Sequence, residues 1–123
     1  MAIPILKQGD ILVASIQADL GDRDLTLLRD ELVEKVGRHR SKGVVVDVTA
    51  LDVLDSFAVR TLRGIAHVTQ LRGATTVVVG IQPEVAFAMV QLGLRLEGID
   101  TALDLEEGME ILSRRIKGDS AHD

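Results

Sequence analysis

The chain of 123 residues contains no cysteine, tryptophan or tyrosine, and only 2 prolines. Without cysteine it has no disulfide framework, no thiol nucleophile and no thiolate metal site. Its only aromatic residues are Phe57 and Phe87, so the sequence offers no platform on which nucleic-acid bases could stack. A net charge of −5 also opposes contact with phosphate backbones. We therefore expect no nucleic-acid partner.

Long apolar runs are also missing, since none approaches the roughly 18 residues that a membrane span requires. The N-terminus, MAIPILKQGD, lacks the basic region and the long apolar core of a signal peptide. Hydrophobic residues nevertheless make up 46% of the chain, which at this length suffices for one core of Val, Leu, Ile and Ala side chains. The sequence predicts a soluble cytoplasmic domain with no membrane association.

Strand and helix patterns alternate along the chain. The predicted strands are short apolar or β-branched segments at 3–6, 11–16, 44–48, 75–79 and 101–103. A turn at Gln8-Gly9-Asp10 separates the first two and predicts an antiparallel hairpin. Strands that follow a helical crossover are expected to be parallel. The pattern predicts an α/β fold, with a mixed β-sheet of about five strands and about four helices.

The helix signals are of several kinds. Apolar residues recur at helical spacing from Leu25 to Val36, and a second amphipathic helix starts at Ser56. Gln82-Pro83 predicts the start of the third helix, because proline needs no N–H in a first turn. Asp104 and Glu107 have the spacing of a capping box before the fourth. We place a single domain at 1–117 and a flexible C-terminal tail at 118–123.

The segment Val44–Arg63, VVVDVTALDVLDSFAVRTLR, is the most informative one. An apolar strand ends in an acidic loop, after which Asp55 and Ser56 open a helix. Free N–H groups at a helix start are a ready partner for a phosphate, so we interpret Ser56 as a hydroxyl that a kinase can phosphorylate. Its neighbours are expected to border a partner-binding surface: Asp55, Phe57, Arg60 and Arg63.

Two other interpretations of this segment remain open at the level of the residues. Asp55 and Ser56 could serve only as helix caps. Ser56 could also be the nucleophile of a hydrolase, which requires a base within reach and usually a glycine-flanked turn. Neither flank is glycine, and His67 lies about three turns further along the helix. His39 and His67 are predicted to be surface residues, and His122 lies in the predicted tail. We expect no enzyme activity.

Two acids and a tight turn near the strand ends are the remaining candidates for a functional site. Asp47 and Asp52 have no histidine close to them in sequence, so we interpret them as solvated loop acids and expect no bound metal. The turn Gly80–Pro83 follows the next strand, so we expect it at the same edge of the sheet as the Ser56 loop.

Residues 44–63 resemble the phosphorylation segment of STAS domains, the sulfate-transporter and anti-sigma-antagonist fold. Many members carry Asp-Ser-Ser-Gly there, whereas this chain has Asp55-Ser56-Phe57-Ala58. That departure is similar to the RsbS type, the small STAS proteins of the bacterial stressosome. Further segments resemble the same type, and they lie at 3–22, 80–99 and 101–112.

This resemblance implies a STAS fold and a non-enzymatic stress-signalling scaffold without a cofactor. Such scaffolds assemble with an RsbR-like STAS sensor protein and hold an RsbT-like serine kinase. The kinase phosphorylates a switch serine, which corresponds to Ser56, and is then released; an RsbX-like phosphatase resets the serine. The resemblance also implies self-association, as a dimer and within a large assembly with the RsbR-like partner. The alternative is a free-standing anti-anti-sigma factor that binds an anti-sigma kinase directly, although such proteins usually carry Ser-Gly after the switch serine.

Overall fold

The strands form one sheet whose order follows the chain from one edge to the other. The computed structural model describes residues 3–17 and 21–121. Its elements are β1 Ile5–Gln8, β2 Ile11–Ser15, α1 Asp22–His39, β3 Gly43–Asp47, α2 Ser56–Leu71, β4 Thr75–Val79, α3 Pro83–Gln91, β5 Asp100–Ala102 and α4 Leu105–Ala121. The predicted α/β fold, with five strands and four helices, is confirmed.

The sheet is mixed, as predicted. β1 and β2 pair antiparallel around a turn at Gly9 and Asp10, with Gln8 opposite Ile11. From β2 to β5 every neighbouring pair is parallel. The loops that follow these four strands therefore meet at one edge of the sheet, which we call the carboxyl edge.

Each face of the sheet has its own apolar cluster. Side chains alternate along β3, where Val44 and Val46 join the cluster shared with α1, α2 and α3. Val45 points to the other face and joins Leu112 of α4. All three valines are completely buried. This strand is therefore covered on both faces, as is typical of a strand inside a parallel sheet.

α2 has a buried stripe that includes Ala58, Leu62, Ile65, Ala66 and Thr69. Thr69 is polar, and its hydroxyl bonds to the carbonyl of Ile65 at 2.8 Å and to the hydroxyl of Thr76 at 2.9 Å. This pairing satisfies both buried hydroxyl groups, so they carry little desolvation cost.

Four strands are shifted or shortened by one or two residues relative to the sequence prediction, and the last helix extends further than predicted. β1 begins at Ile5, because the two-residue turn fixes its register, while Ile3 stays buried outside the ladder. β5 is Asp100–Ala102, which leaves Leu103 81% exposed. α4 continues to Ala121, past the predicted end of the domain at residue 117. The flexibility of the tail stays a prediction, and His122 lies outside the described residues.

Most helix signals are confirmed in detail. Gln82 is the N-cap of α3 and Pro83 its first residue. The backbone N–H of Glu107 donates to Asp104 Oδ1 at 2.9 Å, which is one of the two bonds of the capping box predicted before α4. Within the described part of the chain, no helix has the length and apolar content needed to cross a bilayer.

Candidate functional site

The loop between β3 and α2 crosses the carboxyl edge and leads to Ser56. Its ends are anchored, because Val48 and Leu54 are only 2% and 4% exposed. Leu51 packs partly against the same core, and its N–H donates to the Val48 carbonyl at 3.0 Å. Val53, by contrast, is 71% exposed. The loop is therefore held at both ends and presents an apolar side chain just before the helix.

A hydrogen-bond network fixes the beginning of this loop. Asp47 Oδ1 accepts from the N–H of Thr49 at 2.9 Å and from its hydroxyl at 2.6 Å. From the neighbouring loop, the Gln82 side-chain amide donates to the Thr49 carbonyl at 2.7 Å. The expected proximity of the turn 80–83 to the Ser56 loop is confirmed. The interpretation of Asp47 as a freely solvated acid was wrong, since this half-buried carboxylate holds Thr49.

Gly80 lies directly against this network. Its φ is +82°, a conformation that side chains other than hydrogen rarely adopt. A Cβ atom at this position would lie 2.0 Å from Thr49 Oγ1 and 3.2 Å from Asp47 Oδ1. A side chain at residue 80 would therefore require Thr49 to shift, which would disturb the hydrogen bonds at the beginning of the Ser56 loop.

Asp55 is the N-cap of α2. It has extended backbone angles, φ −82° and ψ 178°, and its carboxylate accepts from the Ala58 N–H at 2.8 Å. The first intrahelical bond runs from the Val59 N–H to the Asp55 carbonyl at 3.0 Å. Ser56 is thus the first helical residue, and the N–H groups of Ser56 and Phe57 precede that bond.

Ser56 itself is exposed and takes no part in capping. Among the described residues, none forms a hydrogen bond with its hydroxyl group. The capping interpretation therefore applies to Asp55 and leaves Ser56 unexplained. His67 is exposed on the same helix about three turns away, beyond the reach of a general base. His39, also predicted at the surface, is half-buried.

Part of the predicted partner surface is assembled in a groove between α1 and α2. Phe57 and Arg60 line this groove of about 260 Å³ together with Arg29 and other residues of the two helices. Arg60 is exposed and lies one turn beyond Ser56, at a spacing where side chains are neighbours on a helix. Arg63 is half-buried and does not line the groove. Sequence reasoning missed Arg29, because only the packing of α1 on α2 brings it there.

Replacement of Asp55 by alanine tests the capping role. Loss of the bond to the Ala58 N–H should lower the free energy of unfolding by about 1 kcal/mol. Asp52→Ala is the matched control, because Asp52 is an exposed acid in the same loop without a hydrogen bond among the described residues. Urea unfolding of both variants measures the difference. Equal stability of the two variants would contradict the cap.

Comparison with known proteins places this geometry in a family. Residues 2–108 match the STAS domain. The solved structure of a Ser-to-Glu variant of RsbS from Moorella thermoacetica superposes with a TM-score of 0.81 and 36% identity, covering 94% of this chain and 97% of that one. A chain in the structure of the stressosome, described as a signal integration and transduction hub, gives a TM-score of 0.77 and 37% identity, with 92% and 98% covered.

A curated relative is the RsbT co-antagonist protein RsbRA of Bacillus subtilis (strain 168). It is 29% identical over 110 residues, which are 88% of this chain. The match covers only 39% of that relative's length. The family match over most of the chain, together with these structural neighbours, shows that the protein belongs to the STAS-domain family, among its stressosome-type members.

Proposed function

We propose that this protein is a non-enzymatic scaffold of a cytoplasmic stressosome. It holds an RsbT-like serine kinase at the surface around Ser56 and releases the kinase once Ser56 is phosphorylated. It co-assembles with an RsbR-like STAS protein, and an RsbX-like phosphatase returns Ser56 to the hydroxyl form. The similarity to RsbS and to the RsbT co-antagonist RsbRA supports the RsbR-like and RsbT-like partners.

The observation that carries the proposal is the state of the Ser56 hydroxyl. It is exposed at the first residue of α2. A serine at a helix start is often the N-cap, but here Asp55 is the N-cap and accepts the hydrogen bond from the Ala58 N–H. The loop before it is fixed by Leu54 and by the Asp47–Thr49 bonds. A kinase thus meets an acceptor in one defined position, which lowers the cost of ordering the substrate.

The chemistry needs only an acceptor from this chain. The Ser56 oxygen attacks the γ-phosphorus of ATP, the bond to the bridging oxygen breaks, and ADP leaves. The serine proton passes to a base in the kinase. The product places phosphate oxygens beside the first-turn N–H groups of α2 and one turn from Arg60, both of which favour negative charge.

Phosphate transfer from labelled ATP by the cognate RsbT-like kinase tests the proposal. The wild-type chain should accept one phosphate per molecule, and Ser56→Ala should lose essentially all of it. Ser113→Ala is the matched control, because Ser113 is an exposed serine on α4, across the sheet from α2. Full labelling of Ser56→Ala, or equal loss in both variants, would contradict the assignment of the acceptor.

A further inference from the structure

A cleft lies at the edge of the sheet where the parallel strands begin, opposite the carboxyl edge. The segment 40–42 leads into β3, and Arg72 and Gly73 follow α2 just before β4. Because β3 and β4 are parallel, both segments lie at this edge. Together with the last turn of α1 they line a cleft of about 410 Å³. The cleft is therefore at the other end of β3 from the Ser56 loop.

Three cations line this cleft without an acidic partner. Arg40, Lys42 and Arg72 are exposed, and none of them takes part in an ion pair among the described residues. Cations near a helix end can complement its dipole, but Arg38 and His39 already do so within the last turn of α1. Three further positive charges share one cleft of a chain whose net charge is −5, and their combined potential favours an anion there.

Ser41 gives an independent indication of a ligand. It lines the cleft and is only 4% exposed, and its Oγ has no hydrogen-bond partner among the described residues. A buried hydroxyl group without a partner costs free energy. An anion in the cleft supplies an acceptor once the side chain turns to another of its staggered positions.

The backbone around the cleft is held in place without a ligand. The Ser41 N–H donates to the Val36 carbonyl at 3.1 Å, and the Lys42 N–H donates to the Asp10 carbonyl at 2.7 Å. The Thr75 N–H donates to the Lys42 carbonyl at 3.0 Å, which ties the segment 40–42 to the start of β4. A ligand therefore meets a preformed loop, which lowers the cost of binding.

Arg72 reaches from the end of α2 across to α1. A Cβ atom at Gly37 would overlap its guanidinium group. Glycine inside a helix is unfavourable, but at this position it leaves room for the guanidinium group beside the cleft. The close approach brings a cation of one helix onto the loop that carries the other two.

We propose that this cleft, lined by Arg40, Ser41, Lys42 and Arg72, binds a small molecule through a phosphate group. A phosphate offers three strong acceptor oxygens and about two negative charges, whereas a carboxylate offers two oxygens and one charge. Two guanidinium groups, an ammonium group and a hydroxyl group match the phosphate better, since arginine also binds phosphate with two parallel hydrogen bonds. The described residues that line the cleft include no aromatic side chain, so they recognise the phosphate and not an attached ring.

Calorimetric titration of the full chain with pyrophosphate at constant ionic strength tests the site. We expect one pyrophosphate per chain with a Kd below about 1 mM. The melting temperature should rise by several degrees at about a hundred times Kd. Arg72→Gln should weaken binding at least tenfold, because it removes one of the two guanidinium groups. Arg114→Gln is the matched control, since Arg114 is an exposed cation on α4, across the sheet, and it should bind as the wild type does.

Two variants that keep all three cations test the geometry of the site. Ser41→Ala should weaken pyrophosphate binding several-fold and leave the free chain at least as stable, because it removes an unpaired buried hydroxyl group. Gly37→Ala should also weaken binding, because the added Cβ displaces the Arg72 guanidinium group, although alanine is the better helix former.

Several results would overturn the proposal. They are the absence of saturable binding at millimolar pyrophosphate, equal weakening by Arg114→Gln, and unchanged affinity in either Arg72→Gln or Ser41→Ala. If a phosphoserine peptide or tetraglutamate binds more tightly than pyrophosphate, the cleft belongs to a protein partner and the proposal is wrong. These measurements do not depend on phosphate transfer to Ser56, because the cleft and Ser56 lie at opposite edges of the sheet.

Discussion

Gly80→Ala should lower the free energy of unfolding by about 2–5 kcal/mol. The left-handed backbone at φ +82° costs a residue with a Cβ about 1–2 kcal/mol. The new methyl group would also start 2.0 Å from Thr49 Oγ1, and overpacking of this kind typically costs about 1–3 kcal/mol more. The second part of the cost falls on the loop that leads to Ser56.

Gly93→Ala separates the two contributions. Gly93 also has a positive φ, +70°, but a Cβ there meets nothing within 4 Å. It should therefore show the backbone cost alone. Removal of the Thr49 hydroxyl in a Gly80→Ala, Thr49→Ala double variant should recover part of the remaining loss, as expected for residues in contact. Urea unfolding of the set measures both effects, and equal losses for Gly80→Ala and Gly93→Ala would show that the close approach is unimportant.

Much of this fold could be predicted from the sequence, because several signals for strands and helix starts depend only on residues that are close together in the chain. The alternation of Val44 to Val46, the Asp55 cap and the Pro83 helix start each need only a few adjacent residues. The register of β1 depends instead on pairing with β2, so its predicted position was two residues too early. Helical periodicity also could not show that Phe87 stays exposed, because α3 carries apolar residues on most of its sides and so has no distinct polar face.

In the candidate site, too, some features depend on near neighbours in sequence and others on long-range packing. Ser56 and Asp55 could be found from one segment, because a helix start is a local feature. The approach of Gly80 to Thr49 joins two loops from neighbouring strands. The groove that places Arg29 near Arg60 requires the packing of two helices. Neither arrangement leaves a signal in the spacing of residues along the chain.

Phosphorylation of Ser56 should weaken binding of the RsbT-like kinase by roughly tenfold or more, a loss of about 1.4 kcal/mol. The fold should stay intact. Within the domain, a phosphate brings about −1.5 to −2 charges to the start of α2. The helix dipole stabilises these charges by about 0.3–1 kcal/mol, and Arg60 at one turn's distance adds about 0.2–0.5 kcal/mol. Repulsion from the nearby exposed acids Asp52 and Asp55 opposes both terms and is reduced by salt.

At the kinase interface these internal terms matter less than desolvation. A doubly charged group that loses its water without a matching partner costs several kcal/mol, which exceeds the nearly balanced terms inside the domain. The same phosphate that the isolated helix tolerates is therefore expected to disrupt the bound complex. Ser56→Asp should be only a partial mimic, since it carries one charge on a shorter side chain.

Calorimetric titration of the kinase, paired with thermal melts, checks this balance. The phosphorylated chain should melt within a few degrees of the unmodified one, because a net internal change below about 1 kcal/mol shifts the melting temperature by only that much. Ser113→Asp adds a charge on the α4 side of the sheet and should leave the affinity for the kinase unchanged. Unchanged affinity after phosphorylation of Ser56 would show that the kinase does not contact this serine in the complex. A large loss of stability would mean that the phosphate acts by unfolding the start of α2. Repulsion from Asp52 and Asp55 would then exceed the stabilisation by the helix dipole and Arg60 together.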